Sequence, residues 1–131
     1  MAGTRDIPPF DLDAWEKLCS SARMPPAARR LDRNLNIDAR IFRKILLSLW
    51  TARGFRSVKG PPNAETSRTF SSWVAGGAAK RLWRAYLATL RKNQVVEWTR
   101  RFEAVKGASR LTTKNTAWFR DWQVELKKRV R

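Results

Sequence analysis

Closely spaced arginines and lysines are the residues of this chain whose types and spacing could do chemistry. Two sets recur at intervals of three and four residues: Arg40, Arg43 and Lys44, and Lys80, Arg81 and Arg84. This spacing places each set on one face of a helix, where like charges repel each other. Cationic groups held together in this way can bind phosphate oxygens, so the spacing indicates a surface for a polyanion.

The net charge of +17 lies entirely in the C-terminal part of the chain. Residues 1–38 contain six basic and six acidic side chains, whereas residues 39–131 contain 22 basic and five acidic ones. A domain with such an excess repels itself, and a polyanionic partner is the usual reason for carrying it. We interpret the 131 residues as one domain, with a near-neutral docking segment (1–36) and a basic helical body (37–131).

Catalytic and metal-binding chemistry find little support in the composition. The chain has no histidine, and its single cysteine, Cys19, lies on the apolar side of a predicted helix. A zinc site of the usual Cys and His ligands is therefore excluded, and acid–base catalysis has no imidazole to use. The few acids include no pair spaced for two-metal or two-carboxylate chemistry. We expect a protein that is not an enzyme and that needs no metal and no cofactor.

The sequence also indicates the cellular compartment of the protein. No apolar run approaches the roughly 20 residues that a membrane-spanning helix needs. The N-terminus lacks the basic segment and apolar stretch of a secretory signal. We expect an intracellular protein, in the cytoplasm or inside an organelle, that is neither secreted nor inserted into a membrane.

Apolar residues recur at helical spacing along almost the whole chain, which predicts an all-α fold. We expect a compact bundle of five or six helices with an extended N-terminal segment. Asp13 and Glu16 resemble a capping box that opens the first helix, and Pro25-Pro26 ends it. A short second helix should follow, to about Leu31.

Cap and stop residues set the predicted limits of the next two helices. Asn36 is the predicted N-cap of the third helix and Gly54 its stop. Asn63 is the predicted N-cap of the fourth helix, which should run to about Ala75. Gly76-Gly77 should then break the chain, since paired glycines destabilise a helix.

The C-terminal half should contain a broken fifth helix and a last one. The fifth starts near Ala78, and its apolar stripe rotates after Asn93. This rotation predicts a break at Asn93-Gln94, followed by helix to Lys106. The last helix follows a polar connector at 109–115. Six tryptophans lie on predicted apolar faces and should form the core: Trp15, Trp50, Trp83, Trp98, Trp118 and Trp122.

The cationic sets nominate specific residues for phosphate contact. They are Arg40, Arg43, Lys44, Arg53, Arg56, Lys59, Lys80, Arg81, Arg84, Arg91 and Lys92. Phe55, in a loop between Arg53 and Arg56, is the candidate for stacking on a base. Arginine is the more frequent cation, and its guanidinium both forks onto phosphate and stacks on bases. Nucleic acid is therefore the expected partner, with RNA favoured and DNA as the alternative.

In size, helicity and charge the chain resembles ribosomal proteins and the small helical subunits of CRISPR effector complexes. This resemblance implies a structural RNA-binding subunit of a ribonucleoprotein complex, with further protein subunits as partners. Such a protein would bind the phosphate backbone without strong sequence specificity.

Two other functions stay open at the level of sequence. Residues 68–75 and 78–92, joined by Gly76-Gly77, could form a helix-turn-helix unit that binds DNA. Alternatively, the cationic faces could bind an acidic protein, which would make the chain a helical adaptor.

Overall fold

The computed structural model describes residues 7, 10–24, 37–51, 58–105 and 116–130. Within these ranges the regular secondary structure consists of six α-helices, and no strand is present, which confirms the predicted all-α bundle. The helices are α1 (Leu12–Ala22), α2 (Ile37–Thr51), α3 (Asn63–Ala75), α4 (Ala78–Ala88), α5 (Lys92–Val105) and α6 (Thr116–Val130). Among them, no helix is both long and apolar enough to cross a bilayer.

Several sequence predictions fall outside the described residues. They include the second helix to Leu31, the cap at Asn36, the stop at Gly54 and the end of the fifth helix at Lys106. The loop residues Arg53, Phe55 and Arg56 lie outside these ranges as well.

The N-terminus of α1 is capped by Asp11, and the predicted capping box of Asp13 and Glu16 is wrong. Asp11 Oδ1 accepts a hydrogen bond from the Ala14 N–H at 2.7 Å. Asp13 instead lies in the first turn of the helix, where its carboxylate pairs with Lys17 at 3.3 Å. Both aspartates suit the positive end of a helix, so their short spacing obscures which of them is the cap.

Pro62 occupies the N-cap position of α3, and the prediction that Asn63 caps this helix is wrong. Asn63 is the first helical residue, and its Oδ1 accepts a hydrogen bond from Lys44 Nζ at 2.9 Å. The predicted break at Gly76-Gly77 is confirmed. Gly76 ends α3, and Gly77 adopts a φ of 84°, a left-handed conformation that glycine allows at no steric cost.

The break in the fifth predicted helix lies at 89–91, before the expected position at Asn93-Gln94. The Thr89 and Leu90 N–H groups close a tight turn onto the carbonyls of Tyr86 and Leu87. Gln94 Oε1 then accepts from the Arg91 N–H at 2.8 Å and so caps the start of α5. Gln94 therefore supports a helix start, which is why the chain breaks one turn earlier than its apolar pattern predicts.

Helix α4 lies at the centre of the fold and packs against α1, α3 and α6. Its Trp83 ring stacks on Trp122 of α6, with centroids 4.5 Å apart and planes inclined by 5°. Trp98 of α5 meets Trp83 edge-on at 5.4 Å. All seven tryptophans of the chain, Trp73 included, are buried, which confirms the aromatic core predicted from the apolar faces.

Candidate nucleic-acid interface

The cationic set on α2 divides into one exposed and two engaged residues. Arg40 is exposed. Arg43 is partly buried, and its Nε donates to the Ile7 carbonyl at 2.8 Å. Burial also lowers the pKa of the Arg43 guanidinium. Ile7 thus covers part of the face that the sequence alone assigns to solvent.

Lys44 is buried, and the expectation that it lies on an open cationic face is wrong. Its side chain is 3% exposed, and Nζ donates to the Pro61 carbonyl and to Asn63 Oδ1. Burial lowers the pKa of the ammonium group. Gly60 packs against the Lys44 side chain. Its φ is 150°, and a Cβ added at this position would lie 2.8 Å from Lys44 Cδ. Lys44 therefore anchors the segment before α3 and presents no cation to a ligand.

The cations of α4 are engaged to different degrees. Lys80 is partly exposed. Arg81 Nε donates to the Ala22 carbonyl at 2.6 Å, where it binds the C-terminal end of α1. Arg84 forms a 3.0 Å ion pair with Glu125 of α6. Arg84, nominated for phosphate contact, is therefore engaged by an acid of the fold.

The Arg84–Glu125 pair perturbs both partners. Glu125 is buried, and its hydrogen bond to Arg84 is the main cause that holds the pKa of the carboxyl below its ordinary value. The same hydrogen bond raises the pKa of Arg84. Lys128 adds a second contact to the carboxylate at 3.5 Å. This cluster joins α4 to α6 and therefore stabilises the fold.

Several cations are at least partly exposed, and their side chains form neither an ion pair nor a hydrogen bond within the described residues. Five of them belong to the predicted set: Arg40, Lys59, Lys80, Arg91 and Lys92. Five cations outside the predicted set share this property: Arg23, Arg68, Arg120, Lys127 and Arg129. Arg91 and Lys92 are adjacent at the junction of α4 and α5, which makes this junction the densest pair of open cations among the nominated residues.

Two acids of the basic body each form ion pairs with two cations. Glu97 accepts from both Arg100 and Arg101, each at 2.9 Å. Glu125 takes Arg84 and Lys128. The other three acids of residues 39–131, Glu65, Glu103 and Asp121, form no ion pair within the described residues, so the open cations are left unpaired by their position.

An open groove of about 420 Å³ lies where the end of α2 meets the start of α5. We call it the α2–α5 groove. Its apolar lining comes from Trp50, Tyr86, Leu90 and Trp98. Its polar lining comes from Asn93, Gln94, Glu97 and Arg101. Arg91 and Lys92 immediately precede this polar group in the sequence, so the groove opens beside the densest pair of open cations.

Arg101 shapes one wall of this groove. Its Nη1 donates to the Trp50 carbonyl at 2.8 Å, and its guanidinium carbon lies 4.2 Å from the centroid of the Trp50 ring. The Trp50 indole N–H is buried and has no acceptor within the described residues. Burial raises the pKa of the Tyr86 phenol to about 12, and the neighbouring Trp98 opposes this shift. Trp50 and Trp98 lie on faces that the sequence predicts to be core, and the groove at their margin has no local sequence signal.

Comparison with known proteins assigns the chain to no family. No family model matches it, and neither a curated protein nor a solved structure shows significant similarity. The functional interpretation therefore depends on the geometry and charges of the described residues.

Proposed function

We propose that this protein is a non-catalytic RNA-binding subunit of a ribonucleoprotein complex that binds the phosphate backbone. The observation that carries the proposal is the set of open cations on successive elements: Arg40, Lys59, Lys80, Arg91 and Lys92. Cations without an internal acid are free to replace the counterions of a nucleic acid, which drives backbone binding.

The distribution of these cations favours an extended contact over a compact anion site. Arg40 lies near the start of α2, whereas Trp50, near the end of this helix, lines the groove beside Arg91 and Lys92. Ten residues of helix separate Arg40 from Trp50, which corresponds to about 15 Å along the axis. A distance of this size matches several successive phosphates of a strand and exceeds the span of one bound anion.

A helix-turn-helix mode of DNA binding is not favoured by the packing of α4. This helix would have to enter the major groove as the recognition helix. Seven of its eleven residues are buried, including Ala78 and Ala79 at its N-terminal end. Because recognition helices contact bases mainly through N-terminal residues, α4 offers little surface for that role.

The test is the salt dependence of RNA binding, measured by fluorescence polarisation with a labelled oligouridine. If the five open cations each neutralise a phosphate, the log–log slope of affinity against salt should be roughly −3.5. A slope near zero would contradict the proposal. An absorbance ratio at 260 and 280 nm typical of pure protein, measured after purification in low salt, would then support the adaptor for an acidic protein.

A charge-matched pair of double variants locates the contact. Arg91→Gln/Lys92→Gln should make the slope shallower by about 1.4, since two phosphate contacts are lost. Lys17→Gln/Arg100→Gln removes the same number of charges from side chains that already pair with Asp13 and Glu97. This control should keep the wild-type slope. Equal effects of the two variants would show that only total charge matters and would refute the assigned path.

A further inference from the structure

We propose that the α2–α5 groove holds one unstacked nucleobase of the bound RNA while Arg91 and Lys92 hold the adjoining phosphates. The inference rests on the proposed backbone binding and adds to it a site for a base. It assigns a ligand to a groove that backbone binding alone leaves unused.

The size and lining of the groove suit a planar ring. Its volume of about 420 Å³ falls within the range of about 300–1,000 Å³ that is common for small-molecule sites. Trp50, Tyr86, Leu90 and Trp98 form an apolar lining that is mostly aromatic. Proteins that bind single strands use aromatic side chains of this kind to hold bases, because every base offers a π-face.

The hydrogen-bonding groups at the groove suit the edge of a base. The Trp50 indole N–H is buried without an acceptor among the described residues, whereas buried polar groups in folded proteins are normally paired. Because this N–H has almost no accessible surface, the polar contacts to the acceptors and donors of a base edge fall to the exposed amides of the groove. Gln94 Oε1 is engaged by the Arg91 N–H, which leaves its amide NH₂ for a ligand. Asn93 is exposed and supplies both a donor and an acceptor.

The charges around the groove indicate where the base and the phosphates of a nucleotide would bind. Glu97 in the polar lining would repel a phosphate, but it is already paired with Arg100 and Arg101, so the interior favours a neutral group. Arg91 and Lys92 are exposed and form no ion pair within the described residues. A nucleotide placed with its base inside and its phosphates at these two cations satisfies both regions at once.

The first test uses free uridine and adenosine, which carry no phosphate and are therefore independent of backbone binding. Nitrogen–proton correlation spectra resolve the indole N–H groups of the seven tryptophans. The Trp50 signal, assigned by its loss in Trp50→Phe, should shift on titration, and the Trp122 signal should not. Trp122 is the matched control, since its indole N–H is also buried without a described acceptor but lies outside the groove. Absence of a selective Trp50 shift with both nucleosides would overturn the inference.

The second test compares an oligouridine with an abasic strand of equal length and charge. The wild-type protein should bind the base-bearing strand about fivefold tighter or more. Trp50→Phe should reduce this ratio, and Trp122→Phe should leave it unchanged. Asn93→Ala, at an exposed position, provides the same test should the core variant fail to fold. In all three variants, affinity for the abasic strand should remain that of the wild type.

The outcomes separate this inference from the proposed function. Equal affinity of the wild-type protein for the two strands would overturn the base site and leave backbone binding intact. The double variant Arg91→Gln/Lys92→Gln should lower the affinity for both strands by the same factor. Should neither strand bind in low salt, backbone binding is refuted, and the nucleoside titration still decides whether the groove accepts a base.

Discussion

Replacing Arg101 by methionine should destabilise the fold, although this arginine is partly exposed and lies beside a second arginine. Arg101 extends from α5 to the C-terminal end of α2, where the carbonyls of the last turn have no partner within the helix. No basic residue stands in that turn of α2, so Arg101 supplies the missing cation. The side chain therefore joins two helices and caps one of them.

The size of the effect follows from three contacts that methionine cannot make. The 2.8 Å bond to the Trp50 carbonyl is charge-assisted, and losing such a bond costs about 1.5–3 kcal/mol. The position over the Trp50 ring adds about 0.5–1 kcal/mol, and the partly exposed ion pair with Glu97 adds less than about 1 kcal/mol. Methionine keeps part of the aliphatic stem and its packing. We expect a net loss of about 2–3 kcal/mol and a fall in Tm of roughly 10 °C.

Arg100→Met is the matched control for this prediction. Arg100 pairs with the same Glu97 at the same distance of 2.9 Å, but its side chain is 73% exposed. Its loss should cost at most about 0.5 kcal/mol, as is usual for an exposed ion pair. Urea denaturation followed by tryptophan fluorescence measures both variants. If the two differ by less than about 1 kcal/mol, Arg101 does not stabilise the α2–α5 contact in the way inferred from its bonds.

Two further changes test the buried charge cluster and the segment before α3. Because Arg84 holds the pKa of Glu125 below its ordinary value of 4.5, the stabilisation by this carboxylate is complete above that pH and is lost as pH falls through the lower folded value. Glu125→Gln should therefore cost about 1–2 kcal/mol in urea melts at neutral pH, with the gap to wild type narrowing in acid; a gap independent of pH would contradict this reasoning. Gly60→Ala should cost about 1–3 kcal/mol, because φ is 150° and the added methyl meets Lys44 Cδ at 2.8 Å. Gly76→Ala, at a helical φ of −91° with its nearest atom 3.5 Å away, should be close to neutral in the same assay, and equal losses at the two glycines would refute the strain at Gly60.

Local periodicity was enough to predict the all-α bundle and its aromatic core. The six tryptophans expected on apolar faces, for example, are all buried. Capping was less predictable, because two acids near α1 and an amide at the start of α5 each satisfied more than one cap pattern. The errors at Asp13 and Gln94 are errors of one turn or less.

The fate of individual cations could not be predicted from the sequence, because it depends on distant partners. Lys44 is buried by a segment 17 residues later, and Arg84 meets Glu125 from 41 residues away. Because neither cation shares a helix with its partner, the helical periodicity of the sequence cannot predict these contacts. The groove was missed for the same reason, since Trp50 and Gln94 come together only in the folded chain.

The stacking of Trp83 also has a consequence for how the chain is synthesised. The indole N–H of Trp83 donates to the carbonyl of Trp122, 39 residues further along, and the two rings lie face to face. A nascent chain that has not yet released α6 from the ribosome leaves one side of this ring uncovered. Premature termination before α6 would therefore yield a product with an exposed indole at its centre, prone to aggregation and open to quality-control proteases.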